Sequence, residues 1–307
     1  MRTGRFFPGK LILSGEHSVV YGYPALAASI DLGIQMRLQP AQRPVVDPYV
    51  QHIFSIFQQQ MGIEKLRNFE LDIQSTLPQK SGLGSSAAFA AALFDALFAF
   101  YDFPEPDEEK LFQLVWQAEN FVHGNSSGLD PAVVVSAGII HFQKQEKFQK
   151  RGLVLGKNWQ KQDLYLWDTG PASESTKEMV EKVAELAKSP KGKLLLQKIS
   201  QCSEVIEANF LKDKVETSPF WENHQLLNEI GVVGNTANEQ IQQLRKYGID
   251  CKIVGAGGIK TGSGFILVLP ATQQQMAIAE KIFLEKRNRF YRIRLNNTKE
   301  KNEKSNG

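Results

Sequence analysis

Apolar and polar positions alternate with the period of strands at residues 5–13, where Pro8-Gly9 interrupts, at 25–39, and at 69–75 in FELDIQS. Helical spacing holds over 47–61 and again from Ser85 or Ser86 to about Tyr101, ahead of Pro104 and Pro106. In EEKLFQLVWQAENFV, the residues Phe112, Val115, Glu119 and Val122 fall on one helical face, which sets a carboxylate among apolar neighbours. A short apolar segment then leads to the strand GIIHFQ. From residue 164 the pattern restarts with strand LYLWDT, followed by helices TKEMVEKVAELAKS and LLLQKISQCSEVIEANFLK, a shorter one near 219–230, and NEQIQQLRKY closed by Gly248. Strand CKIVG, loop AGGIKTGSG, strand FILVLP, helix QQQMAIAEKIFLE and strand RFYRIRL complete the order. Strands and helices flanking a helical middle predict a second α+β layer domain. The polar stretch KQEKFQKRGLVLGKN suggests a seam near 155, dividing the chain into 1–155 and 156–307.

Composition changes this picture little. The chain has 307 residues, 42% of them apolar and 22% charged, which suits two compact domains. The longest apolar stretch, LPQKSGLGSSAAFAAALFDALFAF at 77–100, carries Asp95 and many small residues, so it reads as a buried core helix and no membrane contact is expected. MRTGRFFPGK does not resemble a secretory signal, and two cysteines, Cys202 and Cys251, form no disulfide framework. Both features point to the cytoplasm. The net charge of +3 hides an asymmetry: Lys286–Lys304 holds eight basic and two acidic residues, so the remainder is at −3. That tail reads as a last strand followed by a solvated end, and with no basic stripe elsewhere nucleic acid is not an expected partner.

Four stretches carry the candidate chemistry: PGKLILSGEHSVVYG at 8–22, PQKSGLGSSAA at 78–88, ENFVHGNSSGLDP at 119–131, and GAGGIKTGSG at 255–264. Between them they supply glycines and amides for phosphates, oxygen ligands for magnesium, a carboxylate to take a proton and a cation to organise charge, which is the inventory of phosphoryl transfer. Each residue also has a plainer reading. Gly82, Leu83, Gly84, Ser85 and Ser86 precede a helix, where small residues serve either as a cap or as a phosphate cradle at the positive end of the helix dipole. Ser86 and Glu119 are hard-oxygen candidates for Mg2+ if their helices lie side by side, while Glu119 is otherwise a helix-edge carboxylate reaching solvent or an arginine. Asp130 before Pro131 is either a helix cap or a general base kept ionised by a nearby lysine. Lys10, after the Pro-Gly bend, is that lysine or a solvated strand end. Glu16 and His17 occupy a turn that can bind a substrate hydroxyl or carboxylate or simply satisfy local backbone groups. The GxxxxGK[ST] phosphate loop and zinc-ligand spacing are both missing from the sequence.

Together these stretches resemble the GHMP kinases. PGKLILSGEHSVVYGYPALA is similar to the family's first motif, PQKSGLGSSAA to its phosphate-binding second motif, and KIVGAGG to the start of its third; GEHSVVYGYPALA, HGNSSGLD and DTGPASESTKEMV are most similar to its mevalonate-phosphorylating members. The resemblance implies a ribosomal protein S5 domain 2-like N-terminal domain and a ferredoxin-like C-terminal domain. It implies that ATP is bound by residues 82–86, that Mg2+ is held by Ser86 and Glu119, and that Asp130 is the general base paired with Lys10. Glu16 and His17 would then lie toward the small-molecule acceptor, mevalonate. The resemblance leaves open a phosphorylated acceptor, an inactive ligand-binding regulator, and a homodimer. Two departures stand out: Ser126 replaces the family's usual proline, and the third motif breaks its glycine run with Ile259, Lys260 and Thr261.

Overall fold

The computed structural model describes residues 4–64, 67–78, 82–123, 126–144, 148–170, 172–260 and 262–296. Five strands form one sheet: β1 (Phe6–Ser14), β2 (Ala25–Pro40), β3 (Phe69–Ser75), β4 (Ile139–Lys144) and β5 (Phe148–Leu153), in the order β1-β2-β4-β5 with β3 also on β2. The helices α1 (Pro48–Met61), α2 (Ser85–Phe100), α3 (Glu108–His123) and α4 (Leu129–Ser136) lie between them in sequence. The chain divides into two compact units. The first holds residues 1–10, 29–79 and 83–137; the second holds 11–28, 80–82 and 138–307.

In the first unit α2 packs against α1, α3 and α4. Its alanines at 87, 88, 90, 91 and 92 are buried, as are Leu93, Phe94 and Leu97, so the helix is apolar all round because neighbours surround it. Asp95 is the apparent exception. Its carboxylate accepts from Arg5 Nε at 2.7 Å and from the Arg5 amide at 3.0 Å, which satisfies a charge at a buried position. Among the described residues no helix is long and apolar enough to cross a membrane.

The second unit contains α5 (Lys157–Gln160), β6 (Leu164–Asp168), α6 (Thr176–Ala187), α7 (Pro190–Leu211), α8 (Ser218–Glu229), α9 (Asn235–Arg245), β7 (Asp250–Ile253), β8 (Phe265–Leu269), α10 (Gln273–Lys286) and β9 (Phe290–Ile293). Strands β6 to β9 pair antiparallel in the order β7-β8-β6-β9, which is the strand order of a ferredoxin-like sheet. Tyr165, Trp167, Ile199, Leu227, Ile241, Ile253, Val268 and Phe283 build its core. The basic residues Arg292 and Arg294 both pair with Asp163, so this part of the tail is a strand neutralised within the fold; residues 297–307 lie outside the described ones.

The seam expected near residue 155 differs from this division. The expected polar linker is strand β5, paired along β4 from Ile139 opposite Leu153, followed by a short helix that buries Trp159. The chain leaves the first unit at Ala137 instead. Residues 11–28 join the second unit because Ala25–Ala28 pair with Ile139–Phe142.

Candidate active site

Three pieces of the first unit converge at the start of α2. Lys10 on β1 donates its amide to the Leu83 carbonyl at 2.7 Å, which ties the strand to the loop before the helix. Its ammonium lies 2.9 Å from Asp130 Oδ1, with Lys10 6% and Asp130 27% exposed. Gly84 holds the N-cap position at φ +69°, in the left-handed region, and no side chain caps the helix. A Cβ at Gly84 would stand 3.0 Å from Lys10 Cβ and 3.7 Å from Asp130 Oδ2, so glycine here serves both the backbone angle and the close approach.

The capping readings are thereby corrected at two places. Ser86 does not cap α2; its hydroxyl donates to Glu119 Oε2 at 3.2 Å. Asp130 is not the N-cap of α4 either, because Gly128 takes that position in the left-handed conformation and Asp130 sits within the first turn. There the carboxylate gains from the helix dipole as well as from Lys10.

Glu119 is fully buried, as its place on the apolar face of α3 suggested. Sequence reasoning missed its second partner, Tyr49 on α1, whose hydroxyl donates to Glu119 Oε1 at 3.1 Å. The Tyr49 ring stacks against Phe89 and Phe121. Burial, and then the Glu119 charge, raise the Tyr49 pKa, so the phenol stays protonated as a donor.

The donor set of Ser86 and Glu119, a hydroxyl and a carboxylate, has the hard-oxygen chemistry that magnesium prefers. Among the described residues no group of three or more His, Cys, Asp or Glu side chains could hold a metal alone. An ion here would therefore complete its shell with phosphate oxygens and water, as Mg2+ commonly does. The glycine-bounded start of α2, uncapped by any side chain, is equally suited to phosphate.

Glu16 and His17 belong to the second unit. Glu16 is buried and paired with Lys252 of β7, a residue that sequence reasoning also missed. His17 is buried at φ +61° and donates Nε2–H to the Ala256 carbonyl at 3.1 Å. Desolvation lowers its pKa to about 4 against the opposing pull of that carbonyl, so the ring is neutral at pH 7.

The unusual third motif is explained by the segment DTGPASE. The Thr169 hydroxyl donates to Gly264 O at 2.8 Å and accepts from Ser263 N at 2.9 Å. The Glu174 carboxylate accepts from the amides of Ile259 and Lys260, both at 3.2 Å. The Lys260 charge also acts on Glu178, which it helps to hold below the usual carboxylate range after the stronger hydrogen bonds from Ser175.

A lysine-paired carboxylate beside an uncapped, glycine-bounded helix start, with a hydroxyl–carboxylate pair in the helix's first turn, defines a small-molecule phosphotransferase. Residues 48–138 match the family described as GHMP kinases N terminal domain, and the chain belongs to the GHMP kinase family. Among its relatives, the mevalonate kinase of Archaeoglobus fulgidus is 33% identical over 82% of this chain and 88% of its own. That of Thermococcus sibiricus is 30% identical over 92% and 93%. In fold, the chain is similar to the crystal structure of L. major mevalonate kinase in complex with R-mevalonate, with a TM-score of 0.82, 22% identity and 97% of each chain covered.

Proposed function

We propose that this chain transfers the γ-phosphoryl group of ATP to the primary hydroxyl of mevalonate, giving 5-phosphomevalonate. The observation that carries the reading is the 2.9 Å contact between Lys10 and Asp130 beside Gly84. Asp130 is partly exposed, so an alcohol can reach it, and it accepts the hydroxyl proton as the oxygen attacks phosphorus. Lys10 orients that carboxylate and offsets negative charge at the reacting oxygens. Gly82, Leu83, Gly84, Ser85 and Ser86 hold the ATP phosphates through backbone amides and the helix dipole, with no P-loop lysine. Ser86 and Glu119 would hold Mg2+, which when bound neutralises charge on the phosphates. Tyr49 orients Glu119 for that task. The turn Gly15-Glu16-His17 is assigned to the acceptor. Two buried free thiols suit a reducing, cytoplasmic setting.

A phosphorylated acceptor is disfavoured by one observation. The Glu174 carboxylate sits on the amides of Ile259 and Lys260 in the third motif and Glu178 feels the Lys260 charge, so a second phosphate there would meet carboxylate repulsion. A coupled ADP-release assay over mevalonate, phosphomevalonate, galactose and homoserine tests the assignment. Turnover is expected with mevalonate above all others; faster turnover with phosphomevalonate, or none with any of the four, would overturn it.

A further inference from the structure

Among the described residues Lys252 is the largest charged side chain sealed from solvent, with none of its surface exposed. Its strand neighbours Cys251 and Ile253 face the core of the second unit, so alternation turns Lys252 to the opposite face of β7. That face is covered by the segment leading into the Gly15–His17 turn. The Lys252 ammonium donates to the Glu16 carboxylate and, at 3.2 Å, to the Ile12 carbonyl. Burial pulls the Lys252 pKa down and Glu16 opposes it. A buried ammonium without such a partner would be strongly destabilising.

The turn is held at three further points. Gly15 has φ +98°, and a Cβ there would stand 2.4 Å from Ala25 Cα. The Ser18 hydroxyl donates to Gly15 O at 3.2 Å. His17, at φ +61°, bonds to Ala256 in the loop that continues from β7. The same strand and its following loop thus grip the turn twice, through Lys252 on Glu16 and through Ala256 on His17.

We infer that Lys252 and Glu16 are positioning residues for the acceptor: their buried ion pair fixes the Gly15–His17 turn to β7, so that His17 and the turn backbone meet the acceptor in one geometry. This rests on the assignment of that turn to the acceptor under the proposed function. It explains why a motif otherwise concerned with glycines carries a lysine, and why Glu16 is sealed where a contacting carboxylate would be open.

The test uses Lys252→Met, Glu16→Gln, their combination and His17→Ala in the full chain, with kcat, both KM values and thermal stability measured for each. Lys252→Met is expected to lower kcat/KM for mevalonate on the order of 100-fold through its KM, as misplacement by about 1 Å does, with the ATP KM unmoved. It strands a buried carboxylate and loses stability; the double variant removes both charges and recovers it. If the pair positions the turn, the mevalonate KM stays raised in the stable double variant. If the pair merely holds the fold, stability and KM recover together, and the inference is overturned. The double variant decides alone should Lys252→Met not fold. A wild-type mevalonate KM in His17→Ala would instead remove the assignment of the turn itself.

Discussion

Two lysine–carboxylate pairs lie at opposite ends of one strategy. Lys10 and Asp130 meet at 2.9 Å with 27% of the Asp130 side chain exposed, next to a helix start that no side chain caps. Lys252 and Glu16 meet with 0% and 1% exposed, beneath a turn fixed by glycine and histidine at positive φ. The chemistry of the partners is the same and the accessibility is not. An open carboxylate can exchange its proton with a ligand, whereas a sealed one can only hold backbone in place, because separating it from its cation without water is too unfavourable. Composition cannot distinguish the two, since both lysines follow a motif pattern of glycine and apolar residues. What separates them is what covers each pair: the start of α2 leaves Asp130 partly open, while the Gly15–His17 turn seals Glu16.

The largest break in this comparison comes from Asp130→Asn. It removes the proposed proton acceptor and preserves shape, so turnover should fall by roughly 10²–10⁴-fold, the usual contribution of a general base. ATP binding measured by calorimetry should remain. If turnover survives, the open pair is structural like the sealed one, and the contrast collapses.

Gly84→Ala attacks the setting of the open pair. A left-handed backbone costs an L-residue about 1–2 kcal/mol, and the added Cβ meets Lys10 at 3.0 Å. The melting temperature should fall accordingly, and the ATP KM should rise because the cradle and Lys10 shift together. Unchanged ATP affinity would detach the helix start from nucleotide binding. Tyr49→Phe is milder: it deletes the 3.1 Å donor to Glu119 and keeps the ring between Phe89 and Phe121. The Mg2+ concentration for half-maximal rate should rise on the order of tenfold, as losses of second partners to metal ligands do. Mn2+ binding followed by relaxation in the presence of ADP should weaken in parallel.

How much of this was legible follows from how local each signal is. Glu119 could be placed on a buried face because Phe112, Val115 and Val122 share its helical spacing, and α2 was legible from its small residues and its length. Lys10 and Asp130 were legible through motifs, since 120 positions separate them and no periodicity links them. Tyr49 was not legible: α1 looks amphipathic with or without it, and its partner lies 70 residues away. Lys252 was not legible, because a lysine in a strand at a sheet edge ordinarily points to water, and its carboxylate is 236 residues distant. Strand β5 was missed because FQKRGL offers few apolar residues, its pairing with β4 supplying what side chains do not. Non-local partners, more than propensities, set the limit.

The last effect concerns the sealed region and pH. His17 has a folded pKa of about 4 against an ordinary value of 6.5, with burial as the first cause. Between those values the unfolded chain binds a proton that the folded chain refuses, so unfolding is favoured as pH falls. Stability contributed by keeping His17 neutral is therefore fully present above pH 6.5 and is lost progressively down to about 4. The slope per pH unit approaches about 1.4 kcal/mol for one such group. His224, also buried and also lowered to about 4 by desolvation, adds a second group in the same unit and the same window. Melting curves from pH 7.5 to 4 should therefore steepen below 6.5 in the wild type, and His17→Asn should flatten part of that slope and leave the His224 share. An unaltered slope in His17→Asn would mean that the imidazole protonates in the folded state, and the turn over Lys252 would then be looser than its contacts indicate.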